Sequence, residues 1–100
     1  MGNTSVSTLG ALDQEVQRLR AKRTFKIMDT KSERIYLFRY DARDLNLYLI
    51  IDGKEYKVNN PGSALYAFAD QKSYFELYIS QPSGGVMPIY FMQNMIVLDN

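Results

Sequence analysis

LNLYLIIDGKEYKV, residues Leu45–Val58, reads as two alternating runs joined by Asp52-Gly53. Asp-Gly between alternating runs is a strong hairpin signal, because a type I′ turn needs positive φ at both central residues. With the turn there, Ile51 faces Lys54, Leu49 faces Tyr56 and Leu47 faces Val58. One side then carries Leu45, Leu47, Leu49, Ile51, Tyr56 and Val58, and the other Asn46, Tyr48, Ile50, Glu55 and Lys57. The hairpin has a core side and a mixed side.

The preceding segments register onto it. In Glu33–Tyr40, Tyr36, Phe38 and Tyr40 alternate with Ile35, Leu37 and Arg39. A loop at Asp41-Ala42-Arg43-Asp44 pairs Tyr40 with Leu45, Phe38 with Leu47 and Tyr36 with Leu49. Thr24–Asp29, turning through Thr30-Lys31-Ser32-Glu33, sets Phe25 and Ile27 opposite Phe38 and Tyr36. Three turns chosen by residue chemistry thus give one apolar face, and a slip of one residue in any of them flips a strand. An antiparallel meander over 24–58 is expected.

Upstream, apolar residues at 9, 12, 16 and 19 form one helical stripe, with Asp13 and Glu15 early and bases late, as the helix dipole favours. The spacing predicts a helix from about Gly10 to Arg23, packed on the sheet, after a flexible terminus at 1–8. Asn59-Asn60-Pro61-Gly62 closes the meander with breakers. Over 63–71 (SALYAFADQ), a short helix capped by Ser63 is expected. Ser73–Ser80 alternates as a strand, and Gln81-Pro82-Ser83-Gly84-Gly85 is a hairpin connection. The last run, VMPIYFMQNMIVLD, is apolar on both sides, with Met87, Ile89 and Phe91 on one and Val86, Tyr90 and Met92 on the other. It is one long strand or two around Gln93-Asn94, and Pro88, which cannot donate to a ladder, belongs at an edge.

The expected fold class is α+β: an N-terminal helix packed on an antiparallel sheet of about six strands, comprising the meander 24–58 and a C-terminal hairpin 73–98, with a short helix near 63–71. Residues 9–100 make one domain. The helix-then-meander order is similar to cystatin-like folds and to some secretion-chaperone folds, in architecture alone.

Composition narrows the chemistry. The chain has no Cys and no His, which excludes thiolate metal sites, cysteine nucleophiles and a Ser-His-Asp triad, and removes the usual general base near neutral pH. No cofactor or small-molecule signal is present. Net charge is +1, so no global field favours nucleic acid or an anionic membrane. No apolar run approaches the roughly 20 residues of a membrane span. The sequence MGNTSVSTLGAL lacks the pattern of a signal peptide, Val6 breaks a myristoylation motif, and Asn3-Thr4-Ser5 is a sequon without meaning unless secreted. Cytoplasmic localisation is the default.

Arg18, Arg20, Arg23 and Lys26, with Lys22, form a basic stretch ahead of an aromatic-rich sheet and are the candidate nucleic-acid contacts. A sheet that reads bases needs aromatics on its exposed face, whereas the registered tyrosines point to the core. Asp41, Asp44 and Asp52 are turn formers without the spacing of a calcium loop. Glu76, nearly alone in an apolar strand, is a candidate for a shifted pKa. Pro82-Ser83-Gly84-Gly85 lacks the Lys of a phosphate loop. Apolar surface is the strongest lead. Ile35, Leu37, Tyr48 and Ile50 on the mixed side, and Val86, Tyr90 and Met92 on the C-terminal run, exceed what one or two helices cover in a small domain. A non-enzymatic protein-interaction module is therefore expected: a self-associating subunit (a homodimer, for example), adaptor or inhibitor. A small nucleic-acid-binding domain is the alternative.

Overall fold

The computed structural model describes residues 4–92 and 94–98, with side chains from residue 10 onward. The apolar stripe forms α1 (Thr4–Lys22), which begins six residues before the expected Gly10. Residues 1–3, with the start of the sequon and of the expected flexible terminus, lie outside the described residues, as do Gln93 and the last two positions. Val16 and Leu19 of the stripe are fully buried. Arg23, at φ 70°, is the single residue between α1 and β1 (Thr24–Asp29) and reverses the chain there.

The meander follows as β1, β2 (Ile35–Asp41), β3 (Asn46–Ile51) and β4 (Lys54–Lys57). The Asp52-Gly53 turn has positive φ at both residues, 51° and 79°, and pairs Ile51 with Lys54 and Leu49 with Tyr56 as the sequence predicts. Phe25 pairs with Phe38 and Ile27 with Tyr36, again as expected. The β2–β3 register differs by two residues: Tyr40 pairs with Leu47 and Phe38 with Leu49. The cause is Asp41, whose carboxylate accepts the backbone N–H of Arg43 at 2.9 Å and of Asp44 at 3.4 Å. Asp41 thereby stands before the turn, as an Asx-turn residue does, and the loop moves to 42–45. A two-residue shift keeps each side chain on its face, so the predicted faces survive.

Two expected core residues fall outside the core. Leu45 closes the shifted loop at φ 59° and is 66% exposed, and Ile51 beside the Asp-Gly turn is 36% exposed. The left-handed region costs a branched side chain about 1–2 kcal/mol that glycine does not incur, while glycine adds entropy to the unfolded chain. Leu45→Gly is therefore expected to stabilise the protein by up to about 1 kcal/mol, read as a higher urea midpoint. A lower midpoint would show that the Leu45 side chain makes stabilising contacts.

After β4 the chain forms α2 (Pro61–Asp70), with Pro61 in its first turn. The expected cap moves from Ser63 to Asn60, whose side chain makes no capping bond because it serves β5 (Phe75–Ser80) instead. The two-strand option for the C-terminal run is the one observed: β6 (Val86–Phe91) pairs with β5, and β7 (Met95–Leu98) leaves the hairpin to pair with β1. The strand order is β4-β3-β2-β1-β7 in a five-stranded sheet, with β5-β6 as a separate antiparallel pair joined to the end of the meander through the isolated bridge of Val58 and Ile79. Pro88 lies on β6, which pairs on one side only.

The fold is α+β. Its core lies between one face of the five-stranded sheet (Phe25, Ile27, Phe38, Tyr40, Leu47, Leu49), the two helices and the inner face of the hairpin (Leu77, Ile79, Phe91). Phe68 of α2 joins these layers: its ring lies 4.9 Å from Phe38, 6.2 Å from Phe25, 5.9 Å from Phe91 and 6.3 Å from Phe75. With both helices and the hairpin on this side, none of the described elements lies across the other face of the sheet.

Candidate protein interface

Strict alternation along each strand builds the open face. Its side chains come from Lys26 and Met28 on β1, Ile35, Leu37 and Arg39 on β2, Tyr48 and Ile50 on β3, Glu55 and Lys57 on β4, and Ile96 and Leu98 on β7. The pairing aligns them in rows. Glu55, Ile50, Leu37, Lys26 and Leu98 form one row across all five strands. Lys57, Tyr48, Arg39 and Thr24 form the next, and Ile35, Met28 and Ile96 a third. Ile35 is 56% and Ile96 36% exposed, while Met28, Leu37, Tyr48, Ile50 and Leu98 are half-buried.

The polar part of this face is ordered. Arg39 donates to both oxygens of Glu55, at 2.5 Å and 3.0 Å, and lies 4.7 Å from the centroid of the Tyr48 ring. Hydrogen bonding from Arg39 holds the Glu55 carboxyl below its ordinary range, and the same bond raises the guanidinium. A fork-shaped cation held this way is fixed over the neighbouring ring. The face thus has an apolar band flanked by a fixed Arg-Glu-Tyr group.

The structure brings together the four mixed-side residues named from sequence, Ile35, Leu37, Tyr48 and Ile50, and adds Met28, Ile96 and Leu98. Met28 was legible by carrying the alternation of Thr24–Asp29 to its other side. Ile96 and Leu98 were not, because only the β1–β7 pairing puts them there.

Val86, Tyr90 and Met92 sit on another surface, the outer side of the hairpin, all about half exposed. There Glu76 accepts hydrogen bonds from the hydroxyls of Tyr74, at 2.8 Å, and Tyr78. Tyr74 stacks on Tyr90 at 6.4 Å. Donation from Tyr78, then Tyr74, lowers the Glu76 carboxyl from its ordinary value. Donating to Glu76 pushes Tyr74 up to about 12 and raises Tyr78 as well. A folded-state rise means that Tyr74 adds stability below its ordinary value of 10.0, and that this is lost as the pH climbs towards 12. For Glu76 the contribution is present above 4.5 and is lost as the pH falls. Glu76→Gln should bring the late-titrating tyrosine absorbance back towards ordinary alkaline pH. An unchanged titration curve would mean that these bonds do not persist in solution.

The four basic candidates are dispersed. Arg18 pairs with Glu15 at 2.9 Å on the exposed side of α1, Arg20 lies over the Tyr40 ring at 5.9 Å, and Arg23 sits at the helix-strand junction. Lys26 is on the open face, the opposite side of the sheet from α1. Asp41 precedes the β2–β3 loop, Asp44 lies within it, and Asp52 lies in the β3–β4 turn at the other end of the strands. Among the described residues, no helix is long and apolar enough to cross a membrane. Comparison with protein-family models, with curated proteins and with solved structures finds no match.

Proposed function

We propose that this protein is a non-enzymatic interaction module, acting in the cytoplasm, that presents the open face of its five-stranded sheet to a protein partner. One observation carries the reading: an apolar band of Met28, Ile35, Leu37, Ile50, Ile96 and Leu98 crosses that face, with both helices and the hairpin on the other. Isolated exposed apolar side chains are ordinary, but a contiguous band rimmed by charge marks an interaction surface. Arg, Tyr and Met, the residues enriched where proteins meet, are all present on it. The Arg39-Glu55-Tyr48 group supports the reading further, since a prearranged polar group loses less side-chain entropy on binding.

The test is site-specific photo-cross-linking in cells. A photoreactive residue at position 37 or 50 is expected to give a discrete protein adduct, and the same residue at Lys31 or Ser83 none. Equal labelling at all four positions would overturn the reading.

A further inference from the structure

We propose that the partner of the open face is a second copy of this chain, docked face to face about a two-fold axis that runs parallel to the strands between β2 and β3. The inference rests on the reading of that face as the interaction surface, and adds the identity of the partner.

A two-fold axis in that position exchanges β2 with the partner's β3 and β1 with the partner's β4, keeping each row opposite itself. The row order then decides the contacts. Leu37 meets the partner's Ile50, and Lys26 meets the partner's Glu55. In the neighbouring row, Tyr48 meets the partner's Arg39, so each guanidinium already 4.7 Å from one tyrosine ring gains a second. At the far end of the strands, Asp41 meets the partner's Asn46, an acceptor facing an amide donor. Every contact occurs twice, as a two-fold interface requires.

The alternative of an axis on β2 itself places Arg39 opposite the partner's Arg39, and like charges disfavour it. The charge pattern thus favours the axis between β2 and β3 over one on β2. Packed sheets cross at about 30°, so contact is closest at the centre, where Leu37, Ile50, Arg39 and Tyr48 lie. The axis leaves β7 without an opposite strand, so the four overlapping strands at about 4.8 Å spacing and six residues at about 3.3 Å rise give a shared face of roughly 19 Å by 20 Å. Two such faces bury about 760 Å², the size of a weak, reversible association. Weak self-association is therefore the expected strength.

The experiment is sedimentation equilibrium on the full chain and charge-exchange variants, with folding checked by circular dichroism. Lys26→Glu and Glu55→Lys, each reversing two symmetric contacts, should each weaken the dimer roughly tenfold. Together in one chain, K26E and E55K should recover the part of that loss that comes from the Lys26–Glu55 contact, which a merely unfolded variant cannot do, while Arg39 still lacks its Glu55 partner. A dimer that both single variants leave unchanged overturns the two-fold alignment. A monomer at every concentration, alongside an adduct of a different protein at position 37, overturns self-association and leaves the interaction reading standing. A dimer that survives Leu37→Asp uses another surface, and overturns face-to-face self-association.

Discussion

Replacing Phe68 by alanine is expected to cost roughly 3–5 kcal/mol, a large part of the about 5–15 kcal/mol that holds a small domain folded. Phe68 is fully buried, and four rings from two layers surround it: Phe25 and Phe38 from the sheet, Phe75 and Phe91 from the hairpin. Three of the four contacts are edge-to-face, the arrangement that adds about 0.5–1.5 kcal/mol per pair beyond area burial. Alanine removes a side chain that touches both layers, so the loss includes a cavity term that neighbours on separate layers cannot easily fill. Urea denaturation measures it, and Phe68→Leu should retain most of the stability by keeping volume. A cost below about 1.5 kcal/mol for Phe68→Ala would mean that the hairpin collapses onto the sheet without its help.

The second large effect is expected at Asn60. The backbone edge of β5 that faces away from β6 finds its partners in two asparagines rather than in a strand. The Asn60 side chain accepts the N–H of Tyr78 at 3.1 Å and donates to the carbonyl of Glu76 at 3.0 Å, pairing with β5 as a peptide group would. Asn59 adds its backbone N–H to the Tyr78 carbonyl at 2.7 Å, and its side chain accepts the Ser80 hydroxyl at 2.7 Å. Asn60→Ala leaves two half-buried backbone groups without their partner and should cost about 2–3 kcal/mol. Asn60→Asp should rescue little, because a carboxylate cannot donate to the Glu76 carbonyl. Hydrogen exchange reads the effect locally: the Tyr78 amide should exchange faster in Asn60→Ala than in the parent. Unchanged protection there would show that Asn59 alone holds β5 in place.

The local part of this fold was legible because its signals are local. Asp52-Gly53 set one turn, and the alternation of Phe25 and Ile27, Tyr36 and Phe38, and Leu47 and Leu49 set the faces. Where two polar residues compete to begin a turn, local reading falters. Asp41 and Asp44 are equally good turn residues, and only the side-chain bonds of Asp41 decide that the loop is 42–45 rather than 41–44. The departures of β7 to the β1 edge and of Asn60 to the β5 edge have no local signature, since each satisfies a backbone far away in sequence. The open face was half visible for the same reason. Ile35, Leu37, Tyr48 and Ile50 belong to the meander, whereas Ile96 and Leu98 reach it through a long-range pairing. The basic stretch looked like a patch because it is contiguous in sequence, but a helix, a reversal at Arg23 and a strand send successive side chains in different directions.

The β1–β7 pairing also sets an order of assembly. β1 is synthesised well before the strand that completes its free edge, which follows β6, so Lys26 waits for Leu98. A nascent chain can form the meander early, but until β7 arrives it displays an unfilled strand site on β1, the kind of edge that recruits strands from other chains. A β7 from a neighbouring copy fits that site as well as its own, and the connection from β6 spans only 92–94. Crowded synthesis therefore exposes this protein to strand exchange, and copies tied together in that way would separate only as fast as they unfold.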